Sequence, residues 1–313
     1  MGDFTVPIIL IPIIIAVFLI FILPYYAYTQ AFKRSREELD PIKSLDGPFF
    51  KEYKELLAEK ITKLSQIDCE IHTITSSDGI KLSARYYHVC DGAPLQIQCH
   101  GYRGNPIREF SGGGLEAIED NFNVLMIYQR AHGLSEGKTI SFGEKERLDV
   151  LDWVNYSIKE LGADKIMLMG ISMGAATVLM ASELELPPEV KCIAADCPYS
   201  TTEGIIKRVV GGRKLSPEMM YPFIKLGAKL YGGFTPDLHS PLTAVKSSHL
   251  PILLIHGEDD NFVPEYMSRE IYEASSGNVE YHTFPGAKHG ASYMSDPVRY
   301  ADILDNFVNK HLH

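Results

Sequence analysis

The residues best suited to chemistry in this sequence lie in the segment Gly170-Ile171-Ser172-Met173-Gly174. This G-x-S-x-G spacing matches a nucleophile elbow, in which the chain turns sharply from a strand into a helix and exposes the serine. The apolar run KIMLM precedes the motif and the run AATVLMAS follows it, so both elements that the turn needs are predicted. We therefore expect Ser172 to be a nucleophile at a helix N-terminus, where unpaired N–H groups favour a developing negative charge.

A serine nucleophile needs a base, and with this elbow the acid and then the histidine follow the serine along the chain. His289 lies in the glycine-bounded loop GAKHG, between the last predicted strand and the last predicted helix. Among the other histidines after Ser172, His256 ends a strand and directly precedes Gly257, and the rest fall in a strand, an insertion or the chain end. The sequence therefore predicts His289 as the base.

The acid must orient the imidazole and stabilise its charged form. The segment PILLIHGEDDNFVP offers Glu258, Asp259 and Asp260 directly after an apolar strand. Asp260 stands four residues before Pro264 in a D-x-x-V-P pattern, and we predict it to be the acid, with Asp259 as the fallback. Asp196, which ends the strand VKCIAAD, is interpreted as a structural residue.

The oxyanion of an acyl-transfer intermediate needs two backbone N–H donors. One is expected from Met173, which follows the nucleophile, and the other from the loop after the third strand. That loop reads HGYRGN, so the Tyr102 amide is the candidate. His100 begins the same loop, and we expect it to hold the loop by hydrogen bonds rather than to act as a base.

These residues must be positioned by the alternating strands and helices that the sequence shows from about residue 67. The runs EIHTIT and KLSARYYHV indicate an antiparallel pair, whereas KIMLMG and PILLIHG are apolar throughout. Continuous apolar runs are typical of parallel strands that helices cover on both faces. We predict an α/β fold with a doubly wound, mostly parallel sheet, and ligands at the carboxyl ends of its strands. Residues 199–250, with a helix at 217–231, are expected to form a helical cap over the site.

Residues 6–23 are all apolar or proline and indicate a transmembrane helix. At about 1.5 Å per residue this run spans roughly 27 Å, close to the thickness of a hydrocarbon core. The alternative, a cleaved signal peptide, requires a basic start and a small-x-small cleavage site, and neither is present. Lys33, Arg34 and Arg36 follow the span, so we expect a single-pass anchor in the cell membrane with the remaining chain in the cytoplasm.

The predicted organisation has three parts: an anchor at 1–31, a helical segment at 32–66 that packs on the domain behind it, and a catalytic domain at 67–313. The 313 residues are 45% hydrophobic, which is a globular composition. The formal net charge of −10 disfavours a nucleic-acid partner, because binding phosphates requires a basic face. The five cysteines are odd in number and have no metal-ligand spacing, so no metal is expected.

The segments HGYRGN, QRAHGLSEGKTISFGEKERLDVLDWV, GISMGA, HGEDDNFVP and GAKHG occur in this order. On these segments the chain, from about Cys69 to its C-terminus, resembles the α/β-hydrolase superfamily. Within that superfamily it is similar to the membrane-anchored bacterial esterase-like and serine-aminopeptidase-like members. The resemblance implies no metal and no organic cofactor, and it implies a site made of a nucleophile, an acid, a base and two oxyanion donors at Ser172, Asp260, His289, Tyr102 and Met173.

The chemistry that we expect is two-step acyl transfer on a carboxylic ester, with a small-molecule or lipid-derived acyl ester as the substrate. Peptidases, thioesterases and lysophospholipases use the same triad, and the motifs do not separate these activities. A non-catalytic, membrane-tethered binding protein on the same scaffold is the alternative from another class. Loss of a triad residue would indicate it, and Ser172, Asp260 and His289 are all present.

Overall fold

An eight-stranded sheet forms the centre of the protein, in the order β1-β2-β4-β3-β5-β6-β7-β8. The computed structural model describes residues 10–34, 40–46 and 51–312. The strands are β1 (Glu70–Thr75), β2 (Lys81–Tyr87), β3 (Leu95–Cys99), β4 (Asn123–Ile127), β5 (Ile166–Ile171), β6 (Val190–Asp196), β7 (Ile252–Gly257) and β8 (Val279–Phe284).

The pairing of the strands confirms the predicted α/β architecture. Strand β1 is antiparallel to β2, and β2 is antiparallel to β4, whereas every pair from β4 to β8 is parallel. The β1–β2 turn contains Gly79 at φ 89°, a conformation that glycine adopts without steric cost. Because the strands from β3 to β8 are parallel, their carboxyl ends lie at one edge of the sheet. The predicted site residues follow β3, β5, β7 and β8 at this edge.

Helices cover both faces of the sheet. Trp153, in the middle of one of them, is fully buried against the apolar face of β2, β3 and β5, and Phe307 is buried on the opposite face. The helices that follow the first strands are α4 (Pro106–Glu109), α5 (Gly113–Glu119), α6 (Glu146–Leu161) and α7 (Met173–Ala181). Those near the C-terminus are α11 (Tyr266–Ala274), α12 (Ser292–Ser295) and α13 (Pro297–His311).

The described part of the N-terminal apolar run belongs to a long helix made of α1 (Leu10–Val17), a π-helical turn (Phe18–Ile22) and α2 (Leu23–Ala31). The stretch Ile11–Ala31 is long and apolar enough to cross a membrane, and a signal sequence would pass the same test. Side chains at residues 11–22 are exposed, whereas Ala27 and Tyr28 are buried against the domain. Residues 6–9, where the predicted span begins, lie outside the described residues.

Part of the segment between this helix and β1 is described, and it packs on the domain. Its main element is α3 (Lys54–Ser65), whose apolar face is formed by Leu57, Ile61 and Leu64. These three side chains are buried in the core cluster on one face of the sheet. Arg36, one of the three basic residues expected after the span, lies outside the described residues.

The stretch from residue 199 to residue 250 contains more helix than the sequence predicts. The expected helix at 217–231 corresponds to α9 (Pro217–Gly227) and a π-helical turn (Ala228–Gly232), and α8 (Thr202–Gly212) precedes it. We call α8 and α9 the cap helices. A further helix, α10 (Pro241–Ser247), packs against α7 and α11 beside the sheet rather than with the cap helices.

Candidate active site

Ser172 occupies the sharp turn between β5 and α7. Its φ of 56° and ψ of −115° are unusual for a residue other than glycine, and strain of this kind concentrates at functional sites. The flanking glycines allow the turn to form, because a Cβ on Gly174 would lie 1.8 Å from the Cys99 carbonyl oxygen. A Cβ on Gly170 would lie 2.3 Å from the backbone of Gly174. The two glycines of the motif are therefore required by close backbone approach.

His289 joins Ser172 to Asp260 through hydrogen bonds at both ring nitrogens. Its Nε2 lies 3.0 Å from Ser172 Oγ, and its Nδ1 lies 2.6 Å from Asp260 Oδ2. A carboxylate can only accept, so Nδ1 carries the ring proton and Nε2 faces the serine hydroxyl as an acceptor. The structure thus brings together the three residues that the sequence analysis selected, in the order that a serine nucleophile requires. The fallback acid, Asp259, is exposed.

Asp260 is buried and held by the backbone of its own loop. Its Oδ1 accepts hydrogen bonds from the amides of Phe262 and Val263, at 2.9 and 2.8 Å. Burial on its own raises the pKa of Asp260, but hydrogen bonds from His256 and His289 outweigh it and hold that pKa well below its usual value. The carboxylate is therefore ionised throughout the neutral range.

His256 lies beside the proposed acid, and the sequence did not predict this neighbour. The ring is fully buried, and its Nε2 donates to the Val263 carbonyl oxygen at 2.8 Å and lies 3.4 Å from Asp260 Oδ2. Its Nδ1 accepts a hydrogen bond from Ser268 Oγ at 2.7 Å. A histidine at the end of an apolar strand, four residues before the acid, is the only sequence signal for this contact.

The loop between β3 and α4 carries Tyr102, the second predicted oxyanion donor. It approaches the elbow closely, since a Cβ on Gly101 would lie 3.3 Å from Ser172 Cβ. Among the described residues, neither the Tyr102 amide nor the Met173 amide donates to a protein acceptor. Both amides therefore remain able to donate to a ligand beside Ser172.

Glu109 fixes this loop and was not found from the sequence. Its Oε2 accepts a hydrogen bond from the Gly101 amide at 2.5 Å, and its Oε1 pairs with Arg108 at 2.9 Å. Glu109 thus holds the amide of the residue directly before Tyr102, the candidate oxyanion donor. Because Glu109 ends the four-residue helix α4, no periodic pattern in the sequence points to it.

His100 holds the same loop, in the role expected for it. Its Nε2 accepts from the Gln129 amide at 3.1 Å, and its Nδ1 donates to the Gly101 carbonyl oxygen at 2.8 Å. Burial lowers the pKa of His100 to about 4, so the ring is neutral at physiological pH. The neighbouring His132 is also buried, accepts from the Arg103 amide at 3.0 Å, and has a pKa lowered to about 3 by burial.

Asp196 lies beneath the site in the structural role predicted for it. Its carbonyl oxygen accepts from the Ser172 amide at 2.8 Å, and its side chain accepts from Ser292 Oγ at 3.1 Å. Burial raises the pKa of Asp196 to about 6. Asp260, and not Asp196, contacts the ring of His289 by hydrogen bond.

One group of side chains near the triad has donor atoms that a metal could use. The Cys197 thiol, the Asp260 carboxylate and the His289 ring offer ligand atoms that lie within 4.8 Å of one another. Burial raises the pKa of the Cys197 thiol far above its usual value, so without a metal this thiol is neutral. The other two groups are engaged already, since His289 is hydrogen bonded to both Asp260 and Ser172. The hydrogen bonds of this set therefore account for its geometry without a metal.

Two cavities meet at Ser172. The first, which we call the site cavity, has a volume of about 310 Å³ and is lined by Phe110, Met169, His289, Tyr293 and Met294 among others. The second, the cap cavity, has a volume of about 280 Å³ and lies between the cap helices and α2. Ser172, Tyr102 and Phe262 line both cavities. A substrate bound at Ser172 could therefore place one group in each cavity.

Comparison with known proteins adds a family match and several relatives. A family model described as the alpha/beta hydrolase fold matches residues 97–229. The uncharacterized protein YqkD of Bacillus subtilis is 28% identical over 227 residues, which cover 71% of this chain and 74% of that protein. The human protein ABHD12B is 24% identical over 228 residues, which cover 64% of this chain and 57% of that protein.

Solved structures give a similar result. The esterase Pf2001 of Pyrococcus furiosus superimposes with a TM-score of 0.67 at 26% identity, covering 80% of this chain and 94% of that chain. Est1E of Butyrivibrio proteoclasticus has a TM-score of 0.57 at 20% identity, covers 76% of this chain and 99% of that chain, and shows likeness of fold alone. The family match includes Tyr102 and Ser172, whereas Asp260 and His289 lie beyond it.

Proposed function

Because the chain belongs to the α/β-hydrolase superfamily, we propose that it is a serine hydrolase that cleaves carboxylic esters. The observation that carries the proposal is the continuous chain of hydrogen bonds from Ser172 Oγ through His289 to Asp260. The proposed roles are nucleophile for Ser172, base for His289 and orienting acid for Asp260. The amides of Tyr102 and Met173 are the proposed oxyanion donors, and no cofactor takes part.

In the acylation step, Ser172 Oγ attacks the ester carbonyl carbon while His289 Nε2 takes the hydroxyl proton. The tetrahedral oxyanion accepts hydrogen bonds from the Tyr102 and Met173 amides. As the intermediate collapses, the bond to the alcohol oxygen breaks and His289 returns the proton to that oxygen. The ionised Asp260 keeps Nδ1 protonated and stabilises the imidazolium that forms between these events.

In the deacylation step, water attacks the acyl carbon of the acyl-enzyme and gives a proton to His289 Nε2. The bond between the acyl carbon and Ser172 Oγ then breaks, and Oγ recovers the proton from the imidazolium. The products are a carboxylic acid and the free enzyme. The positive φ of Ser172 favours this chemistry, since it is the backbone conformation by which a nucleophile elbow presents Oγ at the start of the following helix.

Esters are the proposed substrates ahead of amides and thioesters. The solved structure described above with the highest TM-score is an esterase, and its 26% identity extends over 80% of this chain. Peptidase and thioesterase activity on the same triad remain the alternatives to be measured beside it. A non-catalytic binding function is disfavoured by the intact hydrogen-bonded triad.

The test uses the full chain, purified in detergent, with p-nitrophenyl acetate and butyrate as substrates. We expect Ser172→Ala to lower kcat/KM by at least about 10³-fold, and Asp260→Asn by up to about 10⁴-fold, with both variants folded. Asp259→Asn is the matched control, because this neighbouring carboxylate is exposed and should leave turnover unchanged. Wild-type turnover in Ser172→Ala would refute the proposal, as would near-normal turnover in Asp260→Asn.

We also propose that the N-terminal helix anchors the enzyme in the cell membrane, with the catalytic domain in the cytoplasm. The length and apolarity of Ile11–Ala31 support the anchor, and Lys33 and Arg34 directly after it support the orientation. The burial of Ala27, Tyr28 and Phe32 against the domain favours retention of this helix over cleavage as a signal sequence.

Cys90 offers a direct test of the orientation, because it is an exposed cysteine with a free thiol. The protein should remain in the membrane fraction after alkaline extraction. A membrane-impermeant maleimide should label Cys90 only after the cells are permeabilised, and the Cys90→Ser variant is the control. Labelling of Cys90 in intact cells would reverse the orientation, and release by alkali would refute the anchor.

A further inference from the structure

We infer that the N-terminal helix is itself a wall of the substrate site, and that the cap cavity holds the hydrocarbon chain of a long-chain ester. This inference rests on the proposed ester hydrolysis and specifies its substrate class. It assigns to α2 a role in binding, in addition to the proposed role of anchor. The residues concerned are Tyr26, Ala27, Gln30 and Ala31 on α2.

The cap cavity is built from segments far apart in the chain. The last turn and a half of α2 forms one part of the lining, and side chains from the cap helices form another, Ile206, Val209, Met220 and Ile224. Ser172 and Met173 line the same cavity. A chain bound in it would therefore lie beside both α2 and the proposed nucleophile.

The chemistry of the lining favours hydrocarbon. Among the described residues that line the cap cavity, Arg103 and Arg213 are the charged ones, and most of the others are aliphatic or aromatic. The Arg103 guanidinium is engaged by the Gln30 carbonyl oxygen at 3.0 Å and lies over the Tyr102 ring. Each methylene that leaves water for such a lining improves binding, so affinity should rise with chain length.

The N-terminal helix is held against the cap by hydrogen bonding, ring packing and backbone contact. Tyr231 Oη donates to the Phe21 carbonyl oxygen at 3.0 Å, and its ring packs edge-on to Tyr25 at 5.1 Å. A Cβ on Gly227 would lie 2.3 Å from the Pro24 carbonyl oxygen, so α2 and α9 touch through their backbones. The wall formed by α2 is therefore fixed in position.

The placement of this wall also gives a route for the substrate. Phe21 belongs to the apolar span, and its hydrogen bond with Tyr231 brings this edge of the cap against that span. Leu215, Leu230 and Tyr231 are exposed on the cap, and Leu215 also lines the cap cavity. A lipid chain could thus pass from the bilayer into the cavity along apolar surface.

The test measures chain-length selectivity of the full chain in detergent micelles. Two ester series are used, p-nitrophenyl esters of straight-chain acids and acetates of straight-chain alcohols, because either half of the ester could carry the chain. The readout is the ratio of kcat/KM for the twelve-carbon member to that for the four-carbon member. We expect this ratio to exceed one in at least one series for the wild type.

Ala31→Trp and Val209→Trp each add a large ring to the lining of the cap cavity, one from α2 and one from α8. Each should lower the long-to-short ratio by about 10-fold or more, because the added ring occupies the space of the chain. Lys33→Trp is the matched control: it adds the same ring two residues after Ala31, at an exposed position outside the cavity, and should keep the wild-type ratio. Ala31→Leu and Val209→Leu, which are smaller steps, should give smaller falls in the same direction.

A wild type that prefers the short member in both series would overturn the inference, and so would an unchanged ratio in both tryptophan variants. Neither result would touch the proposed ester hydrolysis, since that depends on turnover of the short esters being lost in Ser172→Ala. Conversely, a wild type without Ser172-dependent turnover of short esters would refute the proposed function first. The two failures are therefore distinguishable.

Discussion

The Nε2 atom of His256 lies 3.4 Å from Asp260 Oδ2, the same oxygen that contacts His289 Nδ1 at 2.6 Å. One carboxylate oxygen thus faces two imidazole rings. The His256 ring is fixed by Ser268 on α11 and by the Val263 carbonyl oxygen, so it ties the loop that carries the acid to the sheet and to a helix. This contact makes His256 a positioning residue for the proposed triad.

We expect His256→Phe to lower kcat by about 10-fold with little change in KM, since small misplacement of a catalytic group can cost up to about 10²-fold. The pKa of Asp260 should rise toward its ordinary value, because one of the groups that lower it is removed. Ser268→Ala removes only the hydrogen bond that orients His256 and should give a smaller fall in kcat. Steady-state kinetics on a short ester measure both, and full activity in His256→Phe would contradict the assignment.

Glu109 should affect turnover through the loop that carries Tyr102. Glu109→Ala removes the acceptor of the Gly101 amide, and we expect kcat to fall by about 10-fold, less than the 10²- to 10³-fold cost of losing an oxyanion donor outright. Glu109→Gln keeps an acceptor oxygen and should retain most of the activity. The comparison is made on a short ester by kcat and KM, and equal losses in the two variants would show that the hydrogen bond is not what matters.

Gly174, two residues after the proposed nucleophile, should be essential for stability. Gly174→Ala places a Cβ 1.8 Å from the Cys99 carbonyl oxygen, and the backbone must move, so we expect a loss above about 4 kcal/mol or no folded protein. Gly212→Ala is the control, because a Cβ there meets nothing within 4 Å at the end of α8 and should be neutral or stabilising by up to about 1 kcal/mol. Thermal unfolding followed by circular dichroism separates the two, and a Tm of Gly174→Ala near that of the wild type would contradict the elbow geometry.

Acid should destabilise the protein through its buried, neutral histidines. His100 and His132 have pKa values lowered to about 4 and about 3, so between about pH 6.5 and pH 4 the unfolded chain binds protons that the folded chain does not. Stability from this source is complete above pH 6.5 and is lost as pH falls through the folded pKa. His132→Gln, which keeps an acceptor for the Arg103 amide, should make this fall shallower by up to about 1.4 kcal/mol per pH unit.

Denaturant unfolding at a series of pH values between 7 and 4 measures the slope of the unfolding free energy against pH. His88→Gln is the control, because His88 is exposed and its replacement should reproduce the wild-type slope. An unchanged slope in His132→Gln would mean that the ring is not kept neutral by burial.

The sheet, and the proximity of the three proposed triad residues, could be predicted because local sequence patterns encode both. The run VEYHTF is β8 from Val279 to Phe284, and VKCIAAD ends β6 at Asp196, as expected for strands bounded by turn residues. Ser172, Asp260 and His289 each follow a strand at the same sheet edge, so topology alone brings their loops together. The structure places their side chains in hydrogen-bond contact.

Helix α8 was missed because its local pattern is weak. Gly204, Gly211 and Gly212 lower its intrinsic helix propensity, and it is stabilised instead by burying Ile205 and Ile206 in the cluster beneath the cap helices. The side chains that bury Ile205 and Ile206 come from distant parts of the chain, and the hydrophobic periodicity of the segment itself does not indicate them.

The contact between the N-terminal helix and the cap was missed for the same reason. Phe21 and Tyr231 are 210 residues apart, and no motif in either segment indicates that the two are in contact. The sequence boundary at residue 31 separates an apolar helix from a charged segment, but Phe32, directly after it, packs with residues from 142 to 234. Composition marks where the chemistry of the chain changes, whereas packing decides which segments form one unit.

The buried ring of Phe32 has a consequence for any cleavage of the chain at the end of α2. It packs edge-on to Phe142 at 5.7 Å and to Phe234 at 5.1 Å, with no exposed surface. A protease that trimmed the chain through this point would leave an empty site of a kind that costs about 3–5 kcal/mol for a large aromatic side chain. Cleavage at this point would thus leave a less stable molecule whose cap cavity has lost the part of its lining that α2 forms.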